Sequence, residues 1–347
     1  MRALAESGAN ARDADRPLLA VTELRKQYQA RAGMLAAFSG RTRAVRAVDG
    51  VSFALAEHET LGLVGESGCG KTTIGRIIVG VTPASSGRVV FDGHEITALP
   101  RGALRPLRKH MQMIFQDLDA ALNPRMRVRD ILREAITLHH RVDDPEVARR
   151  TSELLDQVNL KSAKLASFPH ELSGGEKRRV GIARVLAVGA RFIVADEPTS
   201  ALDVSIQSQI VNLLRDLQTR LGLSYLFISH DLEVVELMSH RIAVMYLGRI
   251  VEIGPAERVA RASRHPYTSI LWSSLVEKRS DEVARNGGAA WGVFDFERPG
   301  QGCRFAPRCP VYEAAGRPAI CTDPASEPAL HDAGGGHHVA CHFPIAR

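Results

Sequence analysis

The stretch GESGCGKTT, which begins at Gly65, constrains the fold of this chain more than any other feature. It matches the pattern G-x-x-x-x-G-K-[ST], follows the apolar run ETLGLVG and leads into TTIGRIIVGV, whose apolar residues recur at helical intervals. A strand, a glycine-rich turn and a helix in this order bind phosphate, because backbone N–H groups surround the anion at the start of the helix. The chain is therefore predicted to bind a nucleotide within an α/β fold.

Every residue of this loop is a candidate nucleotide ligand, and two have specific roles. Lys71 is expected to reach the β- and γ-phosphates, and the hydroxyl of Thr72 is expected to bind Mg²⁺. The candidate cofactor-binding residues of the loop are Gly65, Glu66, Ser67, Gly68, Cys69, Gly70, Lys71, Thr72 and Thr73.

Other polar residues follow apolar runs, at what would be the carboxyl ends of strands. Asp196 and Glu197 follow the apolar run in RFIVADEP, Gln116 follows the one in MIFQD and His230 follows the one in FISHD. Ligands of open α/β folds bind at this edge of the sheet. We expect Asp196 to hold Mg²⁺ and Glu197 to deprotonate the attacking water, a role typically worth about 10²–10⁴-fold. His230 is expected to contact the γ-phosphate, and Gln116 to reach either the metal or the water.

Strand and helix patterns alternate along most of the chain, which predicts a mostly parallel sheet. Predicted strands include LLAVTEL, AVDGVSFAL, SSGRVVFDG and LSYLFISHD, and predicted helices include VRDILREAITLHHRV and SIQSQIVNLLRDLQTRLG. A further helix is predicted to begin with Asp144 as its N-cap and Pro145 in its first position. Residues 30–46 form a predicted surface loop. After about Leu275 the pattern gives way to Gly, Pro, Cys and His, which indicates a boundary.

Composition narrows the class of protein. A chain of 347 residues that is 45% hydrophobic can bury one sizeable domain with an appendage. No run approaches the length of apolar sequence that crosses a membrane, and the polar N-terminus lacks the apolar region of a secretory signal. The net charge of +6 is not concentrated in a Lys/Arg tract, and aromatic residues are only 5%. These features argue against a nucleic-acid partner.

A second glycine turn, LSGGEKRRVGIARVLA, begins at Leu172 and also opens a predicted helix. Two turns that each present free N–H groups imply two anion contacts in one chain. In order along the sequence, GESGCGKTT, Gln116, LSGGE, VADEP, SALD and His230 resemble the motifs of the ATP-binding cassette (ABC) ATPases. In that family the second turn contacts the γ-phosphate of a nucleotide held by another subunit, so that two chains enclose two ATP molecules.

The resemblance implies a P-loop NTPase of the ABC type, with a mixed sheet core, an antiparallel β subdomain and a helical signature subdomain at about 117–180. It assigns Ser173, Gly174, Gly175 and Asp203 to nucleotide binding and Tyr28 to stacking on adenine. One departure is Glu176, where the family commonly has Gln. The division that it implies is a tail at 1–17, a cassette at 18–275 and a small Cys-rich extension at 276–347.

Further stretches resemble the oligopeptide/dipeptide (nickel) importer branch, namely AVDGVSF, FQDLDAALNPRMRV, HPYT and GCRFAPRCP. This implies a peripheral protein at the cytoplasmic face of the inner membrane, beneath two transmembrane permease subunits whose coupling helices dock near Gln116. A second ABC ATPase subunit completes the pair, with a heterodimer favoured over a homodimer, and an extracytoplasmic binding protein supplies the solute. The alternatives are a non-transport ABC ATPase and a regulatory ATPase that senses nucleotide or iron.

Four of the five cysteines lie after residue 300, in the spacing C-x5-C-x11-C-x19-C: Cys303, Cys309, Cys321 and Cys341. Four thiolates suit tetrahedral zinc or a [4Fe–4S] cluster, and the family resemblance favours iron–sulfur. Further candidate ligands are His337, His338 and His342. The other reading is that these residues are free thiols in a loose tail.

Overall fold

The computed structural model describes residues 16–30, 43–100, 102–139, 141–279 and 302–346. Its strands are β1 (Leu19–Ala30), β2 (Arg43–Leu55), β3 (Thr60–Val64), β4 (Ser86–Phe91), β5 (His94–Glu95), β6 (Met111–Ile114), β7 (Phe192–Asp196), β8 (Ser224–Ile228), β9 (Arg241–Tyr246), β10 (Arg249–Pro255), β11 (His331–Asp332) and β12 (His338–Val339). Its α-helices are α1 (Lys71–Ile78), α2 (Arg105–Arg108), α3 (Leu118–Ala121), α4 (Val128–Thr137), α5 (Asp144–Gln157), α6 (Gly174–Ala187), α7 (Val204–Leu221), α8 (Leu232–Met238), α9 (Ala256–Arg261), α10 (Pro266–Arg279) and α11 (Pro310–Ala314).

The main sheet has eight strands in the order β11-β12-β10-β9-β3-β8-β7-β6. Strands β9, β3, β8, β7 and β6 run parallel, and β10, β12 and β11 continue the sheet with antiparallel pairing. The central strands TLGLV, FIVAD and SYLFI are buried along their whole length. Continuous apolar strands of this kind are typical of parallel sheets covered on both faces. The predicted mixed α/β core is confirmed.

A second, antiparallel sheet has four strands in the order β2-β1-β4-β5. Leu19 pairs with Leu55 at one end of the β1–β2 ladder, and Tyr28 pairs with Val45 near the other. This sheet is the predicted antiparallel subdomain. The predicted surface loop at 30–46 is too long at both ends, because Ala30 pairs with Arg43 in the β1–β2 ladder. Residues 31–42 lie outside the described ranges.

The helices between β6 and β7 pack on one another, since α4 contacts both α5 and α6. The predicted start of α5 is displaced by one residue. Asp143, not Asp144, is the N-cap, because its backbone is extended and its carboxylate accepts the N–H of Glu146 at 3.1 Å. Pro145 therefore occupies the second helical position, where its missing N–H costs no helical hydrogen bond.

The C-terminal residues 302–346 are folded against the main sheet. Strand β12 pairs with β10, with Val339 opposite Glu252. Nε2 of His337 lies 2.7 Å from Oε1 of Glu252, whose side chain is fully buried. The reading of a loose tail is therefore wrong for this segment. The predicted N-terminal tail falls almost wholly on residues 1–15, which lie outside the described ranges, as do 280–301. Among the residues that the structure describes, no helix is long and apolar enough to span a bilayer.

Candidate nucleotide site

The glycine-rich loop connects β3, which ends at Val64, to α1, which begins at Lys71. Two of its glycines have backbone conformations that no larger residue would fit. A Cβ atom at Gly65, with φ of +149°, would lie 2.1 Å from the carbonyl oxygen of Met245. A Cβ atom at Gly70, with φ of +109°, would lie 2.0 Å from that of Ala47. The motif glycines are thus required by the tight approach of this loop to its neighbours.

The ammonium of Lys71 is held inside the loop. Its Nζ donates to the carbonyl oxygens of Gly65 at 2.7 Å and Glu66 at 3.0 Å, and lies 3.7 Å from Sγ of Cys69. Burial raises the pKa of the Cys69 thiol, so that this side chain stays neutral. The cation of this loop is therefore positioned by the carbonyl oxygens of the loop itself.

Thr72 and Asp196 form the candidate Mg²⁺ site. The hydroxyl of Thr72 donates to Oδ1 of Asp196 at 3.0 Å, and Asp196 is only 2% exposed. Burial raises the pKa of Asp196, an effect that the hydrogen bond from Thr72 opposes. Protein sites for Mg²⁺ usually supply one or two carboxylates and leave the other positions to phosphates and water. An oxygen pair at the end of β7, beside the loop, suits that pattern.

Glu197, Gln116 and His230 meet at one oxygen atom. Nδ1 of His230 lies 2.9 Å from Oε2 of Glu197, and Nε2 of Gln116 lies 3.5 Å from the same oxygen. Glu197 follows β7, Gln116 follows β6 and His230 follows β8. These strands are neighbours in the sheet, so their carboxyl ends lie side by side. The Glu197 backbone has φ of +48° and donates its N–H to the carbonyl of Ile228 at 2.8 Å. Such strained conformations in non-glycine residues are concentrated at functional sites.

The second glycine turn begins α6 with a capping box. Oγ of Ser173 accepts the N–H of Glu176 at 3.3 Å, and Oε2 of Glu176 accepts the N–H of Ser173 at 3.0 Å. Lys164 lies 3.0 Å from Glu176. The Ser173 N–H and Lys164 lower the pKa of Glu176, although burial opposes them. The carboxylate at this position is thus already paired, which explains why Glu can stand where Gln is common.

The other signature residues contact the start of α7. A Cβ atom at Gly175 would lie 2.7 Å from Cγ2 of Ile206, and one at Gly174 would lie 3.1 Å from Leu202. Asp203 is the N-cap of α7, and its Oδ1 accepts the N–H of Ile206 at 2.9 Å. The structure therefore brings Gln116, Glu197 and His230 together at one point. The contacts of Gly174, Gly175 and Asp203 lie instead at the start of α7.

Tyr28, the candidate for adenine stacking, lies on β1 with 41% of its surface exposed. Nζ of Lys26 lies 5.1 Å from the centre of its ring. The ring is accessible enough to stack on a base, and this role stays a prediction.

Sequence reasoning missed Arg178, which links α6 to Gln116. Arg178 is 4% exposed, and its guanidinium donates to the carbonyl oxygens of Phe115 at 2.9 Å and Gln116 at 3.4 Å. One signal was available, because Arg178 stands four residues before Ile182 on the buried face of α6. A charged residue at a core position of a helix normally requires a specific partner.

The four C-terminal cysteines lie near one another. Burial, together with the neighbouring thiols of Cys303, Cys309 and Cys321, raises the pKa of Cys341 to about 12, although a backbone hydrogen bond from Phe343 opposes the shift. Sγ of Cys309 accepts the N–H of Tyr312 at 3.4 Å. Within the described ranges, however, no group of three or more His, Cys, Asp or Glu residues is arranged to hold a metal ion.

The histidines considered as further ligands have protein partners. His337 pairs with Glu252, and Nε2 of His342 lies 2.7 Å from the carbonyl oxygen of Ser326. The arrangement of this segment, His338 included, therefore gives no support to the predicted iron–sulfur or zinc site.

Two protein-family descriptions match the chain. The ABC transporter family matches residues 48–200, and the C-terminal region of oligopeptide/dipeptide transporters matches residues 251–315. A Brucella ovis protein named for peptide import ATP binding is 42% identical over 325 residues, which are 94% of this chain and 97% of that protein. The oligopeptide transport ATP-binding protein AppF of Bacillus subtilis is 42% identical over 329 residues, with the same two shares. This chain belongs to the ATP-binding subunits of ABC transporters.

Solved structures agree with this assignment. A dimeric ATP-binding cassette in a post-hydrolysis state, bound to ADP and Pi, is 25% identical with a TM-score of 0.61, and the match covers 69% of this chain and 98% of that one. CbiO1 of Clostridium perfringens is 28% identical with a TM-score of 0.60, over 71% of this chain and 92% of that one. The ABC subunit described here is an ATPase, with ATP as its substrate and Mg²⁺ as its cofactor.

Proposed function

We propose that this ABC subunit hydrolyses ATP to power the uptake of peptides, or of a related small solute, through partner permeases. The peptide-import relatives match it over nearly its whole length, C-terminal region included. The observation that carries the hydrolytic part is the meeting of Gln116 and His230 at the carboxylate of Glu197, beside the phosphate loop.

In this proposal the residues of the site divide the chemistry between them. Lys71 and the N–H groups of the loop bind the phosphates, and Thr72 and Asp196 hold Mg²⁺. When bound, Mg²⁺ offsets the charge that develops on the transferred phosphoryl group. Glu197 orients a water molecule and accepts its proton, and His230 fixes the carboxylate in the productive orientation.

A second ATPase subunit completes each site. Ser173, Gly174 and Gly175 begin a helix of 14 residues, whose free N–H groups are suited to a phosphate presented by a partner. Asp203 and Tyr28 take the further nucleotide contacts, at the dimer interface and at the adenine. We favour a heterodimer with a related ATPase subunit over a homodimer.

The proposed assembly lies at the cytoplasmic face of the inner membrane, as a peripheral pair of ATPases beneath two transmembrane permeases. An extracytoplasmic binding protein delivers the solute. The proposed division of the chain is a tail at 1–17, a cassette at 18–275 with a helical subdomain at about 117–180, and the extension at 276–347. The permeases' coupling helices dock in the groove between Gln116 and the segment that ends near Leu160.

The predicted metal of the extension has no part in this proposal, because the described cysteines do not form a ligand cage. Metal analysis of anaerobically purified protein tests the point directly. About four iron ions per chain, with the visible absorption of a cluster, would restore the original prediction.

The decisive experiment uses Glu197→Gln as a trap. The variant is expected to bind ATP without turnover and so to hold the assembly closed. Membranes of the native cell are solubilised with ATP and Mg²⁺, and the proteins that copurify with the tagged variant are identified. Two multispanning permeases and a second ATPase subunit are the expected result.

Three other results would contradict the importer. Recovery with ribosomes, recovery with DNA, or recovery of a lone protein would leave a non-transport or regulatory ATPase. Glu257→Gln is the matched control, because Glu257 is an exposed glutamate paired only loosely with Arg261 at 3.6 Å. This control is expected to keep full turnover and therefore, in the presence of ATP, to retain the second ATPase subunit less completely than Glu197→Gln.

A further inference from the structure

The C-terminal extension reaches the phosphate loop through one arginine. Nη2 of Arg308 lies 2.9 Å from Oε1 of Glu66, and Nη1 lies 3.1 Å from Oε2, so the two side chains form a bidentate ion pair. Glu66 is the second residue of GESGCGKTT, and Arg308 lies 242 residues further along the chain. Paired N–H···O bonds of this kind fix geometry as well as charge.

Aromatic residues hold both partners in place. The Arg308 guanidinium lies 5.8 Å from the centre of the Tyr246 ring, and Phe305 packs edge-on against the same ring at 5.3 Å. The backbone N–H of Glu66 donates to the hydroxyl of Tyr267 at 3.0 Å. Arg308 is only 17% exposed on its side chain. The Glu66 side chain is 36% exposed, so the pair is shielded from solvent on the arginine side and open on the carboxylate side.

The charge of Glu66 matters because the loop has to accept a highly anionic ligand. A carboxylate in the loop repels the phosphates of ATP unless a cation offsets it. Lys71 is committed to the carbonyl oxygens of Gly65 and Glu66, so it does not pair with the Glu66 carboxylate in the described contacts. Arg308 supplies that cation from outside the loop.

We propose that Arg308 is a positioning residue for ATP binding: it neutralises Glu66 and fixes its orientation, so that the C-terminal extension sets the affinity of the phosphate loop for ATP. This inference rests on the proposed function as an ATPase. A merely structural role, in which the ion pair only pins the extension to the cassette, predicts a different response to removal of the Glu66 charge.

The test measures the Kd for ATP with Mg²⁺ by calorimetry on the full chain, which needs no partner subunit. Arg308→Gln is expected to weaken binding about threefold to tenfold, the scale of one partly shielded ion pair. Arg308→Lys keeps the charge without the bidentate geometry and is expected to recover part of the loss. Arg317→Gln removes an exposed ion pair of the same extension, Arg317 with Glu313 at 3.0 Å, and is expected to leave the Kd unchanged.

The double variant separates a charge effect from a structural one. If Arg308 acts by neutralising Glu66, then Arg308→Gln changes the Kd in the wild-type background and has no effect in a Glu66→Gln background. If Arg308 only attaches the extension to the cassette, Arg308→Gln weakens ATP binding in both backgrounds, and the inference is overturned. It is also overturned if Arg308→Gln binds ATP as tightly as the wild type. Where Arg308→Gln does not fold, the same cycle with Arg308→Met, which removes the charge but keeps a long side chain, decides by the same criterion.

Failure of this inference is distinguishable from failure of the proposed function. A wild-type chain that binds no ATP would contradict the ATPase itself. A wild-type chain that binds ATP, with a Kd insensitive to Arg308, would leave the ATPase intact and remove only the role of the extension.

Discussion

The imidazole of His230 lies 2.9 Å from the carboxylate of Glu197, and this contact joins the ends of two adjacent strands at the edge of the sheet. Glu197 is 15% exposed on its side chain, whereas His230 is 63% exposed. The carboxylate is thus more deeply recessed than the imidazole that contacts it, and the neighbouring Asp196 contacts Thr72 of the phosphate loop. In the proposed function, this carboxylate acts on the water molecule that attacks the γ-phosphate.

Replacing Glu197 by Gln is expected to reduce ATP turnover by about 10²–10⁴-fold, because the amide keeps the shape of the side chain but cannot accept a proton. The Kd for ATP should stay within about threefold of the wild type, since the phosphate ligands are untouched. Single-turnover hydrolysis and equilibrium binding measure the two quantities. Turnover close to that of the wild type would remove Glu197 from this role.

His230→Ala is expected to lower turnover by about 10–100-fold, because Glu197 loses the hydrogen bond that orients it. The informative comparison is with the double variant. If the two residues act as a unit, Glu197→Gln with His230→Ala should be no slower than Glu197→Gln alone. His94→Ala, at an exposed histidine bonded only to the Asp92 carbonyl, is the control. Fully additive losses in the double variant would mean that His230 acts independently of Glu197.

The meeting of Gln116, Glu197 and His230 was predictable because each of the three follows a short, uniformly apolar run. Strands such as FIVAD and SYLFI are buried on both faces, so hydrophobicity alone marks them, and polar residues that follow must lie at the sheet edge. Parallel pairing then brings Glu197 and His230 together. Local sequence was sufficient here because adjacent parallel strands place the residues at their carboxyl ends side by side.

The contacts of the extension were not predictable in this way. Arg308 and Glu66 are 242 residues apart, and no periodicity or spacing relates them. The pairing of Val339 with Glu252 likewise depends on a two-residue strand, too short to leave a pattern in the sequence. The cap of α5 at Asp143 was missed for a different reason, because two adjacent aspartates offered equal local signals and only the backbone conformation distinguishes them.

The capping box of α6 makes a prediction about stability. Glu176→Gln is expected to change the free energy of unfolding by less than about 0.5 kcal/mol, because the amide oxygen still accepts the N–H of Ser173. Glu176→Ala is expected to cost about 1 kcal/mol, since that N–H then loses its partner. Urea denaturation of both variants measures the difference. Equal losses in the two would show that the ion pair with Lys164, rather than the hydrogen bond, stabilises the helix start.

His265 makes a prediction about pH. Its side chain is 1% exposed, and burial lowers its pKa to about 3. Its Nδ1 accepts the N–H of Tyr267 at 3.1 Å, which requires an unprotonated nitrogen. The groups around it are the Glu252 carboxylate, which accepts the backbone N–H of His265 at 3.0 Å and pairs with His337, and the Phe305 ring at 5.7 Å.

Between about pH 6.5 and pH 3 the unfolded chain binds a proton at His265 and the folded chain does not. The unfolded state therefore gains stability as the pH falls, and the folded state loses up to about 1.4 kcal/mol per pH unit from this residue. His265→Gln is expected to be less stable than the wild type at pH 7.5, and the difference should shrink as the pH drops below 6.5. Urea denaturation at several pH values measures the two curves, with His94→Gln as the exposed control. Parallel curves for the wild type and His265→Gln would mean that His265 takes up its proton in the folded protein as readily as in the unfolded chain.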